Sequence, residues 1–445
     1  MVEKDTDSLD KGKRYKYGIA PLMIIVIGIL NFGAQQFGYM EAEFLNTYID
    51  HVLDLPYIFI GIMVASSATM GLIFLFVWGI LSDNTRSKFG RRRPYLLIAG
   101  IVLGISFIVF GFSPNYLWVY IIDVIIIGIA SNAFYAAQRV LVPDLVELEH
   151  RGRVNAIRNY FGLFGFLFPT VLLFIAEAFY SADNPNPLET GKILTQQGHI
   201  LLLSTGGIIV LICGIIGFIF IRDNISASEL PPAKKFSEEF KHTFNIQELK
   251  QHKDFFRLII AQTIFQSGSA AVLPYIFNFI FSIDIGGIGL LMVFIIAGPA
   301  LIIAIYLLGI LTDKVGRKKI VAPSAIIASI GFSMVPFITE FGQINTILLG
   351  VAFGLILIGL LALTVPLDTW SHDLLPEGRK GQFLGIFNIV FTVSQIIGAL
   401  TAGAIATLLT GVVANPIAWI FLVTPFFYIP SIFLFRRVKE TLTEQ

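Results

Sequence analysis

Runs of about 20 apolar residues, long enough as α-helices to cross a bilayer core of roughly 30 Å, recur from one end of this chain to the other. They fall near 18–48, 56–81, 94–113, 115–141, 153–180, 198–221, 257–281, 285–311, 320–340, 343–371, 382–411 and 413–437. The pattern predicts an all-α membrane protein with 12 transmembrane helices. Charge usage agrees: 14% of the 445 residues are charged, 56% are hydrophobic and the mean hydropathy is +0.79, whereas a soluble domain carries about 25% charged residues to keep its surface wet. Most of the surface therefore faces lipid. The polar start, 1–17, runs straight into a segment long enough to span, which predicts a retained helix and not a cleaved signal peptide. Pro169, Pro274 and Pro366 lie inside predicted spans, where neighbouring helices satisfy the carbonyls that proline frees.

The same composition narrows function. A net charge of +1 supplies no clustered basic excess for a nucleic-acid backbone. The single cysteine, Cys213, supports neither a disulfide framework nor a redox pair nor a thiolate metal site. The six histidines are scattered, and no zinc-protease helix, Asp-rich phosphate site or Ser/His/Asp set marks an enzyme. No metal or cofactor is expected.

Basic residues orient the chain, because loops rich in Lys and Arg stay cytoplasmic. Lys11, Lys13 and Arg14, then Arg86 to Arg93, Arg151 and Arg153, Arg222 to Arg257, Lys314 to Lys319, Arg379 and Lys380, and Arg436 to Lys439 fall in alternate loops, with Lys192 the exception. Both termini are therefore predicted cytoplasmic. The predicted organisation is a tail 1–17, a six-helix bundle 18–221, a cytoplasmic linker 222–256, a second six-helix bundle 257–437 and a tail 438–445. The two bundles are copies of one another. Gly79-Ile-Leu-Ser-Asp83 with Gly90 to Arg93 returns 230 positions later as Gly309-Ile-Leu-Thr-Asp313 with Gly316 to Lys319, and Asp144 with Arg151-Gly152 returns 229 positions later as Asp373 with Lys380-Gly381. Parallel repeats of six helices imply two pseudo-symmetric bundles about a central cavity that opens alternately to each side.

The repeated loops place acids and bases at the cytoplasmic helix ends. Asp83, Arg91, Arg92, Asp144 and Arg151 in the first copy, and Asp313, Arg317 and Asp373 in the second, are gate candidates that pair across the bundle interface in one state and separate in the other; the alternative for the arginines is simple anchoring of a loop. Inside the membrane, ionisable groups are costly and so point to function. In helix 1, Gln36, Glu43 and Thr47 share a face while Glu41 lies nearly opposite, which makes Glu43 the cavity and proton candidate. In helix 4, Asn132, Tyr135 and Arg139 form one polar stripe, and Asp123 falls about half a turn away, near the outer interface or on a proton path. The repeat maps Arg139 onto Asp368, predicting a charge pair across the cavity. It also maps Gln36 onto Gln266 and Asn159 onto Asn388; Gln262 shares a face with Gln266, and Gln395 with Asn388. Uncharged amides suit a polyhydroxy ligand or serve as interhelical glue. Tyr39, Tyr135 and Trp370 are candidates for stacking on its apolar face.

The segment Gly79 to Pro94, Gly-x-x-Ser-Asp followed six residues later by Gly-Arg-Arg-Arg-Pro, resembles the loop between helices 2 and 3 of the major facilitator superfamily. Its spacing and triple-Arg-Pro ending resemble the sucrose-transporter and glycoside–pentoside–hexuronide:cation symporter branch, as do Gln36-Phe37-Gly38-Tyr39, Asn132, Arg139, Asp144-Leu145 and Arg151-Gly152. The resemblance covers the first six helices well and the second half more loosely. It implies the major facilitator fold and a secondary carrier, and it gives Arg139 a part in sugar binding and proton coupling. The branch's helix-4 aspartate aligns with Gly128, a departure that leaves the proton site open. Helix 2 has no Asp or Glu from Pro56 to Leu81, unlike the sodium-using melibiose-type carriers, so a proton is the expected coupling ion. Together these features predict a monomeric, multi-pass cell-membrane symporter of a proton and a disaccharide or glycoside. The alternatives are a proton-coupled exporter of drugs or metabolites, although Asn155 to Thr170 lacks the Gly-Pro-rich pattern of antiporters, and a cation-coupled monosaccharide carrier.

Overall fold

The fold is described from a computed structural model over residues 20–185, 191–222, 252–299, 316–340, 344–374 and 380–441; of residues 365, 368, 369, 372 and 380–385 only the backbone is described. Asp313, Arg379 and nearly all of the predicted linker lie outside those residues. The helices are α1 (Pro21–His51), α2 (Ile58–Asn84), α3 (Arg93–Phe110), α4 (Tyr116–Leu145), α5 (Arg151–Tyr180), α6 (Gln196–Phe220), α7 (Lys253–Ile283), α8 (Gly286–Pro299), α9 (Arg317–Glu340), α10 (Thr346–Asp373), α11 (Lys380–Leu409) and α12 (Pro416–Phe435). Among the described residues, 11 helices are long and apolar enough to cross a membrane; α8, shorter, covers the described part of the predicted 285–311 span. A two-stranded antiparallel hairpin, β1 (Ser181–Asp183) and β2 (Lys192–Leu194), joins α5 to α6.

Helix starts follow local chemistry. Asn115 accepts from the Trp118 N–H at the start of α4, and Asn415 accepts from the Ala418 N–H at the start of α12, each satisfying a donor that the first turn leaves orphaned. Large apolar side chains such as Phe179, Ile288 and Phe426 stand exposed on helix surfaces, the pattern expected of faces bathed in lipid. Where lipid offers no hydrophobic drive between helices, close backbone approach replaces it. Along α3 and α6 this needs glycine: a methyl at Gly100 would lie 2.9 Å from the Gly214 Cα.

Two irregularities position the interior. The α4 backbone switches to i→i+5 hydrogen bonding over Ile121–Ile127, a wide turn that delays the helix face by roughly one residue. In α7, Pro274 sits in a 3-10 turn, Leu273–Tyr275, that breaks the helix.

The halves meet at the end opposite the basic loops. There Asn46 Nδ2 donates to the Pro274 carbonyl at 3.1 Å, Asn278 Nδ2 to Asp50 Oδ2 at 2.6 Å, the Ile58 N–H to Thr407 Oγ1 at 2.9 Å, and the Tyr275 hydroxyl to the Tyr57 carbonyl at 3.2 Å. Lys192 closes the rim on Asp284 at 3.1 Å, and the hydrogen bond from Lys192 to Asp284 holds the ammonium above the ordinary lysine range. At the basic end the charges pair inside each half. Arg92 is buried between Asp83 (2.8 Å) and Asp144 (3.1 Å), Arg91 reaches Asp144 at 3.3 Å, and Arg151 donates to the Val146 and Pro143 carbonyls. Arg317 pairs with Asp373. The ion pairs described at the basic end lie within each half, and the described hydrogen bonds between the halves lie at the far end.

Candidate functional site

Helix α1 sorts its polar groups by face. Gln36 is buried and turns toward α6, where Gly206 leaves room for its amide, and its nitrogen donates to Met40 Sδ at 2.9 Å. About three turns further on, Thr47 hydrogen-bonds His199 of α6 at 3.0 Å. Glu43 lies on this same stripe and is buried, with Oε2 lacking a hydrogen-bond partner among the described residues. This stripe packs inside the first bundle, whereas Glu41 and Gly38 lie on another face of α1, toward α4. Glu41 interacts electrostatically with Asp123 of α4. At Gly38 the Tyr135 hydroxyl comes so close that a methyl would strike it.

Asp123 packs inside the first bundle. It is 3% exposed, accepts from the Ser67 hydroxyl of α2 at 2.7 Å through Oδ2, and has no hydrogen-bond partner for Oδ1 among the described residues. The phase delay of the wide turn in α4 corrects the straight-helix placement, which had put it half a turn from Asn132.

Further along α4, Tyr135, Arg139 and Asn132 have unequal partners. Tyr135 donates to the Ala34 carbonyl at 3.2 Å, and the Arg139 guanidinium lies 4.9 Å from its ring centre, a cation–π geometry. Asn132 donates to the Gly128 carbonyl of its own helix at 2.8 Å. Arg139 is exposed and has Arg158 of α5 as an electrostatic neighbour. Arg158 is held from α1: its Nε donates to Asn31 Oδ1 at 3.2 Å, which also accepts from Gln138 Nε2 at 3.0 Å, while Asn31 Nδ2 returns a bond to the Arg158 carbonyl at 3.0 Å. Ser67, Asn31, Gln138 and Arg158 were not singled out from the sequence. Arg158 carries the signal of a basic residue inside the predicted span 153–180, five positions from its start.

In the second half, Gln262 is buried and donates to Ser371 Oγ at 2.7 Å and to the Leu367 carbonyl at 3.3 Å; its Oε1, like that of Gln266, has no partner among the described residues. Asn159 and Asn388 are exposed and Gln395 is half-buried. Tyr39 accepts from Thr170 at 3.2 Å and packs edge-on against Phe166 and Phe277. Trp370 corrects its expected role: its indole is fully buried, stacks on Phe435 and donates to the Lys439 carbonyl at 2.9 Å, so neither ring face is open to a ligand. The side chain of Asp368 lies outside the described residues, and with it the predicted pair to Arg139.

The site is therefore a polar ladder down the first bundle: Ser67, Asp123 and Glu41, then Tyr135, then Arg139 and Arg158. Such a ladder provides carboxyl groups for a proton, hydroxyl and amide partners for a polar solute, and guanidinium donors toward the basic end.

Comparison with known proteins places this geometry. The structure superposes on a solved nucleoside transporter, NupG, with a TM-score of 0.69 and 13% identity over 94% of this chain and 98% of that one. A D-xylose-proton symporter superposes with a TM-score of 0.64 and 19% identity over 94% and 98%. These likenesses concern the fold. In sequence, the chain is 27% identical over 158 residues to the sucrose transport protein SUC3 of Arabidopsis thaliana (31% of this chain, 26% of that one), and 33% identical over 119 residues to the sucrose transport protein SUT3 of Oryza sativa subsp. indica (26% and 22%). The matched stretches span about a quarter of those relatives. The family described as MFS/sugar transport protein matches residues 26–412, and the chain belongs to that family, a membrane transporter and not an enzyme.

Proposed function

We propose that the chain is a secondary active symporter that moves one proton with a disaccharide or glycoside by alternating access, as a monomer in the cell membrane. The observation that carries this reading is the juxtaposition of Glu41 and Asp123 beside the Tyr135–Arg139 stripe, with no basic group ion-paired to either acid among the described residues. Two carboxyl groups that interact inside a membrane are less costly when one of them is protonated, and Asp123 Oδ1, without a hydrogen-bond partner among the described residues, is available for that proton. The amides Gln262 and Gln266 face the sugar from the second half, and Asp368 is the proposed counterpart of Arg139 there. The pairs Arg92 with Asp83 and Asp144, and Arg317 with Asp373, act as the cytoplasmic gate. Support also comes from the two partial sucrose-transporter likenesses.

The test is uptake of labelled sucrose into proteoliposomes with an inward acid gradient. Gradient-driven accumulation that a protonophore abolishes, and that Asp123→Asn removes while sugar exchange persists, is the expected result. Uptake indifferent to the gradient, or Asp123→Asn accumulating like wild type, overturns proton coupling through this pair. Flux confined to amphipathic cations replaces the reading with the exporter.

A further inference from the structure

At the far end, α1, α6, α7 and β2 converge on two imidazoles. His51 ends α1 and His199 lies in the first turn of α6, with both side chains buried and the ring centres 6.0 Å apart. The Leu194 N–H of β2 donates to His51 Nδ1 at 3.1 Å. A backbone amide can only donate, so this nitrogen accepts and carries no proton; the ring proton sits on Nε2, which faces Asp50 Oδ2 at 3.7 Å. That same oxygen accepts from Asn278 Nδ2 of α7, in the second half, at 2.6 Å. One carboxylate oxygen therefore stands between an imidazole of the first half and an amide of the second. The other groups around His51 are few. His199 is held at Nδ1 by the Thr195 carbonyl (3.1 Å) and at Nε2 by the Thr47 hydroxyl (3.0 Å). From α7, Phe281 meets His51 edge-on at 5.0 Å between ring centres, and the rim beyond it carries Lys192, Asp284 and Glu177.

The hairpin that His51 holds reaches across to the second half. Gly191, at a positive φ of 99°, lies so close to the Phe281 and Ser282 carbonyls that a methyl would strike them, and Lys192 pairs with Asp284. A proton on His51 acts on both attachments. Placed on Nδ1, it removes the acceptor of the Leu194 N–H and sets two donors against each other. The imidazolium also draws Asp50 Oδ2 as a charged partner, in competition with Asn278. Both changes oppose closure of the far end, and neither touches the basic end. Histidine is the side chain whose charge ordinarily changes between about pH 5 and 8, and Asp50, with 15% of its side chain exposed, gives the proton a way in.

We propose that His51, with His199 beside it, is a second proton site that latches the far end: it keeps the halves together while His51 is neutral and releases them when Nδ1 takes a proton. This rests on the alternating-access reading, in which the far end faces outside, and adds a step to it: acid outside favours the form open to that acid, before Glu41 and Asp123 are reached. The closed arrangement binds fewer protons at His51 than the open one, so a fall in pH moves the population toward opening. A proton on each of two rings 6.0 Å apart would repel, so the latch takes one.

The test reads the distance between spin labels at Pro114→Cys and Val412→Cys, exposed positions in the α3–α4 and α11–α12 loops, in the full-length protein with Cys213 replaced, from about pH 7.5 to 5.5. The ratio of the longer to the shorter component is expected to rise by about three- to a hundredfold, the upper bound being one proton over two pH units. His51→Gln, whose amide oxygen still accepts from Leu194 but does not titrate, is expected to hold that ratio to within about twofold across the range, and Asp123→Asn to keep the full response. Should His51→Gln fold poorly, as judged by its elution and Tm, Asp50→Asn, which leaves an oxygen for Asn278 and removes the charge an imidazolium draws, is expected to flatten the response in the same way. A wild-type distance that ignores pH although Asn278→Ala lengthens it, a full response in both His51→Gln and Asp50→Asn, or a response lost in Asp123→Asn and kept in His51→Gln overturns the latch and leaves alternating access standing. A distance that moves with neither pH nor Asn278→Ala sinks alternating access, and the latch with it.

Discussion

At the scale of single residues, burial and partner decide which polar groups serve structure. Trp370 fills a closed slot against Phe435 with its N–H satisfied by the Lys439 carbonyl, so Trp370→Ala opens a cavity and is expected to cost about 3–5 kcal/mol, read as a lowered Tm in detergent with the sugar KM unchanged. A KM rise without a Tm change returns Trp370 to the binding site. Arg92, 2% exposed between two acids and Ser82, is likewise a positioned buried charge. Arg92→Ala removes the guanidinium that Asp83 and Asp144 share, leaving Arg91 on Asp144, and is expected to destabilise by about 1–3 kcal/mol, checked by thermal unfolding; a loss under about 1 kcal/mol shows the network to be solvated. Residue identity is legible in the sequence where the signal is a charge in an apolar run, as for Asp123 and Arg139, whereas straight-helix phase favours Glu43 over Glu41. It was misread where a choice between faces depended on the helix being straight. Gln36 and Glu43 share a stripe as predicted, but periodicity alone does not say whether that stripe meets the cavity or α6.

At the scale of elements, spans and their ends were readable because length and hydropathy set them directly, whereas irregular turns were not. Nothing in Ile121–Ile127, seven residues of which only Asp123 is polar, distinguishes an i→i+5 turn from a regular one, and that turn brings Asp123 to Ser67. Packing between elements was partly visible as glycine. On α3, Gly100 admits the Gly214 backbone, so Gly100→Leu must separate α3 from α6. The expected outcome is a Tm loss larger than for Gly79→Ala on α2, where a methyl meets nothing within 4 Å and the gain in helix propensity is about 0.5–1 kcal/mol. Equal Tm values for the two variants, measured in the same detergent, contradict close packing at the α3–α6 crossing.

For the whole molecule, the described contacts between the halves are unevenly distributed. Hydrogen bonds between halves cluster at the far end, through Asn46, Asp50, Ile58 and Tyr275, while the basic-end ion pairs close within each half. The proposed alternating access requires the far-end set to break when the basic end closes, which would make these bonds a determinant of the balance between the two states. The Asn278–Asp50 bond is the strongest lever, at about 1–3 kcal/mol for a hydrogen bond to a charged group. Lys192–Asp284, at an exposed rim, contributes about 0–1 kcal/mol and is screened by salt. Because the Lys192 ammonium is held above its ordinary range, its contribution is complete below the usual lysine value and disappears only as pH rises through the raised one, so the rim pair is insensitive to pH near neutrality. Asn278→Ala is therefore expected to shift the population toward the form closed at the basic end by a factor of about 5 to 150, the Boltzmann equivalent of 1–3 kcal/mol, with Lys192→Gln adding little. Distances between spin labels at Ser87→Cys and Lys319→Cys, in a background with Cys213 replaced, should gain a shorter component in Asn278→Ala at pH 7. An unchanged distance distribution would mean that the far-end hydrogen bonds follow the transition and do not govern it.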